Sequence, residues 1–486
     1  MADGNAQEVE LKLEAAAADL ESIVQALKDA GFTLKKQDQQ AIYFDTPGAD
    51  LRAAGVSLRI RTVRGKRIQT VKAQGSAAAG LFARPEWEIA VPDDTPVLDD
   101  SAAPLRALLP AAALAALAPA FSVRVSRRSG VATCGEARIE AAVDQGEVSA
   151  GGAATPVAEV ELELLSGPQD ALFALARKLG EAASIRLGVL TKAERGHRLL
   201  DETTDAVVKT ERAAIASDAS VADAFGAIVS ACLRQFRLNE DLLGRTGSAD
   251  ALHQARVAVR RLRSAMSIFK ALVADSRFDH LRAELRWLAA TLGEARDVDV
   301  LIERGENGPT LADARTAAYA RVSEALASSR TRGLMLDLVE WAAIGPWRTA
   351  PIDAAALEQP AMHFAAGALE RSQRRLKKRG RRLATLDDDA RHQVRIDAKT
   401  LRYAAEFFAD LFAGAKAQRR ARRFIAAMQD LQQHLGDLND MATEPVLRAR
   451  LGLPERSSPR KRHRMRLIEK AAEAFEELID LKPFWR

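Results

Sequence analysis

The sequence predicts two fold classes in one chain: an α+β region dominated by antiparallel strands, then an all-α region built as a duplicated helical bundle. Three observations carry this. Up to about residue 200, apolar and polar residues alternate with period two in short runs punctuated by Gly, Pro and Asp. Beyond about residue 205 the alternation gives way to apolar stripes at helical spacing with Arg-rich opposite faces, continuing to "LKPFWR". Within that stretch two segments, 253–269 and 392–408, match at His, Gln, Arg, Leu, Arg, Ala and Phe. The polar, acidic "LDETTDAVVKTERAAIASDAS" marks the change, dividing the chain into residues 1–203, a linker over 204–216, and residues 217–486.

The first strand is "EVELKLE", residues 8–14, with Glu8, Glu10, Lys12 and Glu14 on one face and Val9, Leu11 and Leu13 on the other. "AAAADLESIVQALKDAGF" follows as a helix. "VSLRIRTV", "KRIQTVKA", "RPEWEIAV", "FSVRVSRR", "ARIEAAVD" and "VAEVELELL" read as strands, and "PQDALFALARKLGEAASI" as a second helix. Most of these strands share one property: their polar face carries charge at core-like regularity.

Size and composition bound the reading. At 486 residues, 48% hydrophobic and 28% charged, the chain holds material for two or three globular domains. Cys134 and Cys232 lie about a hundred residues apart, which argues against a disulfide framework or a cysteine-ligated metal. "MADGNAQ" has neither the basic nor the apolar part of a secretory signal. "ALLPAAALAALAPAF" is broken by Pro and shorter than the ~20 residues of a membrane span. A cytoplasmic location, with no membrane partner, is the expectation. Residues 1–200 hold 23 Lys/Arg against 26 Asp/Glu, and residues 201–486 hold 48 against 40, so the second part is the candidate for a polyanion partner.

In the first part, "AEVELEL" repeats the opening pattern with Glu159, Glu161 and Glu163 on one face. Other strands present Arg59, Arg61 and Lys72 at the same spacing, and "RPEWEI" adds Glu86 and Glu88. Alternation alone fits solvated faces of an open sheet. It also fits a closed antiparallel barrel whose interior is a charged tunnel under flanking helices. Enclosed carboxylates would suit a hard divalent cation, Mg²⁺ or Mn²⁺, and enclosed Lys and Arg would suit phosphate oxygens.

"EVELK" matches the Glu-x-Glu-x-Lys signature of the CYTH family, the triphosphate tunnel metalloenzymes. The resemblance continues in order through "YFDTP", "LRIR", "IQTVK", "EWE", "VDQGE", "AEVELEL" and "TKAERG", nearly the whole first domain. It implies an eight-stranded antiparallel β tunnel that binds a triphosphate with a divalent metal. Carried over residue by residue, it implies Glu8, Glu10, Asp144, Glu159 and Glu161 as metal ligands, with Glu163 in reserve. It implies Lys12, Arg59, Arg61, Lys72 and Lys192 as phosphate-binding cations, with Lys12, Arg59 and Arg61 nearest the chemistry. Arg127 is added to them, although "RVSRR" leaves open which of Arg124, Arg127 and Arg128 points inward. Glu86 and Glu88 are read as positioning cations or water, and Arg195 equally as a phosphate-binding cation or a structural ion-pair partner.

The chemistry follows from charge: metal and cations neutralise phosphoryl oxygens that otherwise repel a nucleophile, so water can attack a terminal phosphoanhydride. His197 is the one histidine of the first part, and no Ser–His or Cys–His pair is evident, which disfavours a covalent intermediate. Relatives in this family act on inorganic triphosphate, thiamine triphosphate, RNA ends or ATP. Aromatic residues are 5% of the chain, so a platform for a base is scarce and inorganic tripolyphosphate is the expected substrate.

In the helical part, His253, Arg256, Arg260 and Arg263 fall on one helical stripe, and His392, Arg395, Lys399 and Arg402 repeat it. "ERSQRRLKKRGRRL" supplies a third stripe with Arg374, Arg375 and Lys378. Like charges along a helix repel, a cost that a bound polyanion offsets and that nearby acids could also offset. The paired phrases, each followed by "LGEARDVDV" or "LGDLNDM", resemble the CHAD family of helical domains. That implies two related halves around a basic groove binding long-chain inorganic polyphosphate, and hence an association with polyphosphate granules. Nucleic acid is disfavoured, because no zinc-finger spacing or aromatic RNA-binding strand is present. Asp297, Asp299, Asp437 and Asp440 are read as helix caps or arginine partners. The competing reading is a polyphosphate-binding, granule-targeting protein without turnover.

Overall fold

The computed structural model describes residues 7–73, 75–99, 103–455 and 461–486. It divides into two compact units, Met1–Val207 with Ala327–Ile344, and Val208–Leu326 with Gly345–Arg486.

In the first unit the chain runs β1 (Gln7–Glu14), α1 (Leu20–Asp29), β2 (Lys35–Asp45), α2 (Asp50–Ala53), β3 (Ser57–Val63), β4 (Lys66–Lys72), β5 (Ser76–Ala78) and β6 (Leu81–Val91). It continues through α3 (Leu105–Leu108), α4 (Ala111–Ala115), β7 (Ala118–Cys134), β8 (Ala137–Ala150), β9 (Ala153–Ser166), α5 (Asp170–Ala182), β10 (Arg186–Leu187) and α6 (Lys192–Leu200). Every strand pairing is antiparallel. The order β1-β9-β8-β7-β2-β3-β4-β6 closes where β6 pairs back onto β1, with Glu8 opposite Arg84. The result is an eight-stranded antiparallel barrel with β5 and β10 as short additions, and closure leaves these eight strands no free edge. The open-sheet alternative is thereby excluded.

Alternation sorts the side chains. Leu11, Leu13, Val160 and Leu162 are buried at 1% exposure or less, on strand faces opposite the charged rows. Over them lie α1 and α5, whose buried Ile23, Leu27, Phe173 and Leu179 form their apolar stripes. A second cluster joins Leu58, Ile60, Val71 and Val91 to Leu105, Leu109 and Leu114 of the segment that carries α3 and α4.

β2 and α6 are among the elements of this unit that lie outside the runs read from sequence. β2 begins with six polar residues, "KKQDQQ", which hide its alternation. α6 is short and mostly polar, and a capping box sets it: Thr191 accepts from the Glu194 N–H while the Glu194 carboxylate accepts from the Thr191 N–H. Its Ala193 and Leu199 pack on Ala41, Tyr43, Phe121, Val123 and Val125. Gly196 allows that approach, since a Cβ there would come within 2.3 Å of the Phe121 ring.

The second unit holds α7 (Val221–Thr246), α8 (Ala249–Val273), α9 (Phe278–Glu303), α10 (Pro309–Ala327), α12 (Pro346–Thr349), α13 (Ala354–Glu358), α14 (Ala361–Gly380), α15 (Asp388–Phe408), α16 (Ala415–Arg450) and α17 (Lys461–Asp480). The repeated phrases lie on α8 and α15, and their "LG" companions on α9 and α16. Equivalent caps start the repeated helices, Ser248 on α8 and Asp387 on α15. Like packs on like, α7 with α14 and α8 with α15, and the equivalent Phe269 and Phe408 rings lie 5.9 Å apart. One helix from this stretch of sequence, α11 (Ser329–Ile344), belongs to the first unit, packing on α5, β10 and β5. Arg177 on α5 donates to Asp337 and Glu340 of α11, each at 2.7 Å. Among the described residues, no helix is long and apolar enough to cross a membrane.

Candidate functional site

Strand register brings distant charges into rows. Arg127, Asp144, Glu159 and Glu14 stand directly opposite one another across β7, β8, β9 and β1. Ala142, Glu161 and Lys12 form the next row, and Glu140, Glu163 and Glu10 the one after. On the facing wall Tyr43, Arg59, Thr70 and Glu88 align, and Ser57, Lys72 and Glu86 lie beside them. Most of these residues line one cavity of about 770 Å³, while Glu14, Asp144 and Glu159 lie outside its lining.

Seven cations border that cavity: Lys12, Arg59, Arg61, Lys72, Arg84, Arg127 and Lys192. Seven glutamates border it too, Glu8, Glu10, Glu86, Glu88, Glu140, Glu161 and Glu163, while Asp144 and Glu159 lie fully buried among them. Arg127 donates to both oxygens of Asp144, each at 2.7 Å, and to Glu161 at 2.5 Å. The Lys12 ammonium lies 3.0 Å from Glu159, 2.5 Å from Glu161 and 3.5 Å from Glu10. Lys192 reaches Asp144 at 2.7 Å and Glu161 at 2.8 Å, and also contacts Glu159. Lys72 joins Glu8 at 2.7 Å and Glu86 at 2.8 Å. Glu88 accepts from Thr70 at 2.8 Å and Arg61 at 3.3 Å.

Burial and charge then compete. Burial alone would raise the Asp144 and Glu161 carboxyls, but Lys192 and Arg127, joined at Glu161 by Lys12, outweigh it and hold both below the usual carboxylate range. At Glu163 the balance reverses, because Lys72 does not outweigh burial and the neighbouring carboxylates. Burial, with Glu8 and Glu140, pushes it up to about 7. Burial likewise raises Glu8 despite Lys72. Tyr43 is lowered, because Arg59, Lys192 and Lys72 outweigh its burial.

The residues fit a divalent metal. Asp144, Glu159 and Glu161 each offer an oxygen within 4.8 Å of the others. Glu159 Oε2 and Glu10 Oε1 are buried with no hydrogen-bond partner, an expensive condition that a hard cation would relieve. Glu8 and Glu10 line the same cavity but are not among the three gathered oxygens.

All the sequence-expected residues of the first domain thus meet in one place. Register resolves the Arg124, Arg127 and Arg128 choice: Arg127 faces inward, Arg124 is exposed, and Arg128 pairs with Glu21 of α1. Arg195 pairs with Glu14. Sequence reading passed over Arg84, Tyr43 and Glu140, although Arg84 shares the alternation of Glu86 and Glu88, and Glu140 that of Asp144.

In the second unit, Arg256, Arg260, Arg395, Lys399 and Arg402 of α8 and α15 act on one another as like charges. Burial and these neighbours push Lys399 down to about 6 and Arg256 to about 10. Burial and Arg296, Arg256 and Arg260 lower His253, whose Nδ1 is buried without a partner. Burial lowers Arg263, and the neighbouring cations Arg286, Arg282 and Arg260 add to it. His392 is exposed and bonds Asn439 at 2.7 Å, while Arg402 bonds Glu406 at 2.6 Å. The third stripe is exposed and differently engaged: Arg374 pairs with Glu370, Arg375 acts on Asp397, and Lys378 faces solvent. Three of the four aspartates serve arginines, Asp299 accepting from Arg315 at 2.9 Å, Asp440 from Arg304 at 2.6 Å and Asp297 pairing with Arg450 at 3.6 Å, whereas Asp437, inside α16, accepts from Gln433 at 2.9 Å.

Comparison with known proteins found two family models that match this chain. Residues 6–197 match the family model of the CYTH domain, and residues 227–449 that of the CHAD domain. The chain is 32% identical over 199 residues to an inorganic triphosphatase of Haemophilus influenzae, covering 40% of this chain and 55% of that protein. The match therefore spans about half of that relative's length. Among solved structures, the CHAD domain of the plant Ricinus communis is 28% identical with a TM-score of 0.44, covering 57% of this chain and 93% of its own. The Hippeastrum protein HpAC1, described as an adenylyl cyclase candidate with a dominant triphosphatase activity, is 20% identical with a TM-score of 0.31, covering 39% and 96%.

Proposed function

We propose, for a chain that joins a CYTH domain to a CHAD domain, that the barrel hydrolyses inorganic tripolyphosphate to diphosphate and phosphate and that the helical unit binds inorganic polyphosphate. The observation that carries the first part is the convergence of seven cations and seven glutamates on one cavity, with Asp144 and Glu159 buried in contact with its lysines. Asp144, Glu159 and Glu161, with Glu8 and Glu10 beside them, would hold Mg²⁺ or Mn²⁺. Such an ion, when bound, neutralises phosphoryl oxygens and lowers the pKa of a coordinated water.

The chain's own residues do the rest. Arg59, Arg61, Lys72 and Arg127 meet phosphate oxygens, and their guanidinium and ammonium groups stabilise charge on the leaving diphosphate. Lys12 and Lys192 bridge the carboxylate cluster and the substrate, holding both in place. Aromatic lining is confined to Tyr43 and Trp87 among the described residues, which supports a bare phosphate chain over thiamine or a nucleoside. For the helical unit, five mutually repelling cations on α8 and α15 support a polyanion ligand.

The test is phosphate release by the full chain from tripolyphosphate, ATP and thiamine triphosphate, with Mg²⁺ or Mn²⁺ and with a chelator. Metal-dependent release from tripolyphosphate, lost in Glu8→Ala/Glu10→Ala, is expected. No release with either metal would leave the protein a polyphosphate binder, and equal release by the variant would remove the metal assignment.

A further inference from the structure

The seven cavity cations differ in what already holds them. Lys12, Lys192 and Arg127 are tied to Asp144, Glu159 and Glu161. Lys72 is tied to Glu8 and Glu86, and Arg61 to Glu88. Arg59 donates to the Tyr43 hydroxyl at 3.4 Å. Arg84 alone of the seven has no ion pair or hydrogen-bonded side chain among the described residues, and its buried Nε has no partner.

Its position is nonetheless built. The Arg84 guanidinium lies 5.1 Å from the centroid of the Phe82 ring, two residues back along the same strand face. Stacking on an aromatic ring directs a guanidinium while leaving its N–H donors free for oxygen. Alternation places Arg84 on the face of Glu86 and Glu88, and register sets it opposite Glu8. Lys72 stands opposite Glu86, so Arg84 lies two residues, about 6.6 Å, further along the wall. A desolvated donor beside the phosphate-facing cations, aimed but not matched, has the chemistry of an anion subsite.

We infer that Arg84 is a further phosphate-binding residue of the cavity, taking substrate oxygens next to those held by Lys72 and extending the cationic path toward Glu8. This rests on the tripolyphosphate reading of the cavity. Phe82 is its positioning residue, acting through the stacked guanidinium.

The experiment compares wild type, Arg84→Met, which keeps an apolar stem over Phe82, and Arg84→Lys in the full chain. KM and kcat for tripolyphosphate are measured at saturating Mg²⁺, with the thermal midpoint of each protein. Arg84→Met should raise KM at least tenfold with an unchanged or higher midpoint, and Arg84→Lys should fall between. A KM within twofold of wild type in Arg84→Met would overturn the inference, as would a rise in both variants that merely follows a lowered midpoint. Should wild type show no turnover, the catalytic reading fails separately, and calorimetric binding of tripolyphosphate then decides Arg84. Tenfold weaker binding by Arg84→Met supports the assignment, and equal binding overturns it.

Discussion

Arg127 clasps Asp144 through two parallel hydrogen bonds, joining β7 to β8 at a carboxylate with no exposed surface. Such a fork cannot be reproduced by an ammonium. Arg127→Lys should therefore cost stability as well as substrate affinity, on the order of 2 kcal/mol for the partly orphaned Asp144. Denaturant midpoints in the presence of chelator measure it, and a shift below the error of the fit would show that Lys192 suffices for Asp144.

Divalent metal should stabilise the protein through the same carboxylates. At a metal concentration about 100 times its Kd the gain is about 2.7 kcal/mol. Thermal scans with and without Mg²⁺ should show it in wild type and lose it in Asp144→Asn, whose oxygen belongs to the gathered three. An equal rise in both would place the metal elsewhere.

Gly196 predicts a steric effect. A methyl group there meets the Phe121 ring at 2.3 Å, and α6 carries Lys192 into the cavity four residues earlier. Gly196→Ala should destabilise by about 1–3 kcal/mol and lower turnover by displacing Lys192. Normal kinetics together with a normal midpoint would mean that Phe121 gives way without moving the helix.

The helical cluster predicts a pH dependence whose sign is fixed. The folded state holds Lys399 at about 6, below the ordinary lysine value of 10.5. Between those values the unfolded chain binds more protons, so this residue costs stability, increasingly as pH falls toward 6, and little near pH 10. Lys399→Met should raise the midpoint more at pH 6.5 than at pH 9.5, by on the order of 2 kcal/mol at the lower pH. Long-chain polyphosphate should reverse the preference and draw a proton onto Lys399, visible as buffer-dependent binding enthalpy at pH 7.5. Binding without proton uptake would separate Lys399 from the anion site.

A barrel fragment ending at Val207 should be less stable than one that also carries residues 327–344. α11 covers part of α5 and β10, and its Leu334, Leu338 and Trp341 are buried. Burial of such side chains is worth roughly 1.5–3 kcal/mol each when complete. Adding the 327–344 segment in trans should recover part of the midpoint, whereas Arg177→Ala alone should cost under about 1 kcal/mol, its ion pairs being partly exposed.

Much of the barrel site was legible because a strand has only two faces. Once Glu8, Glu10 and Lys12 share one, alternation places Leu11 on the other, and the same holds for Glu159 and Glu161 against Val160. What alternation cannot supply is the partner across the gap. Arg127 differs from Arg128 by the residue opposite it, Asp144, and that depends on register. Arg84 was passed over for the same reason, since nothing in "RPEWEI" says that its donors lack a carboxylate. Helical stripes are less decisive still. The stripes of α8 and α15 face each other, whereas the equally basic α14 carries Arg374 to its own Glu370. That α11 joins the barrel unit has no local signature at all, because a helix's apolar stripe does not name the surface it will cover.

The assignment of α11 has a topological consequence. The backbone passes from one unit to the other at residues 207–208, 326–327 and 344–345. A protease that nicks only the segment after α6 would cut residues 1–207 from the rest of the chain, leaving α11, continuous at both ends with the second unit, held in the barrel unit by non-covalent packing on α5 and β10. For the same reason an exchange of genetic modules at that one segment would strand a piece of the barrel unit in the wrong gene, so the two are inherited most simply as a single cassette.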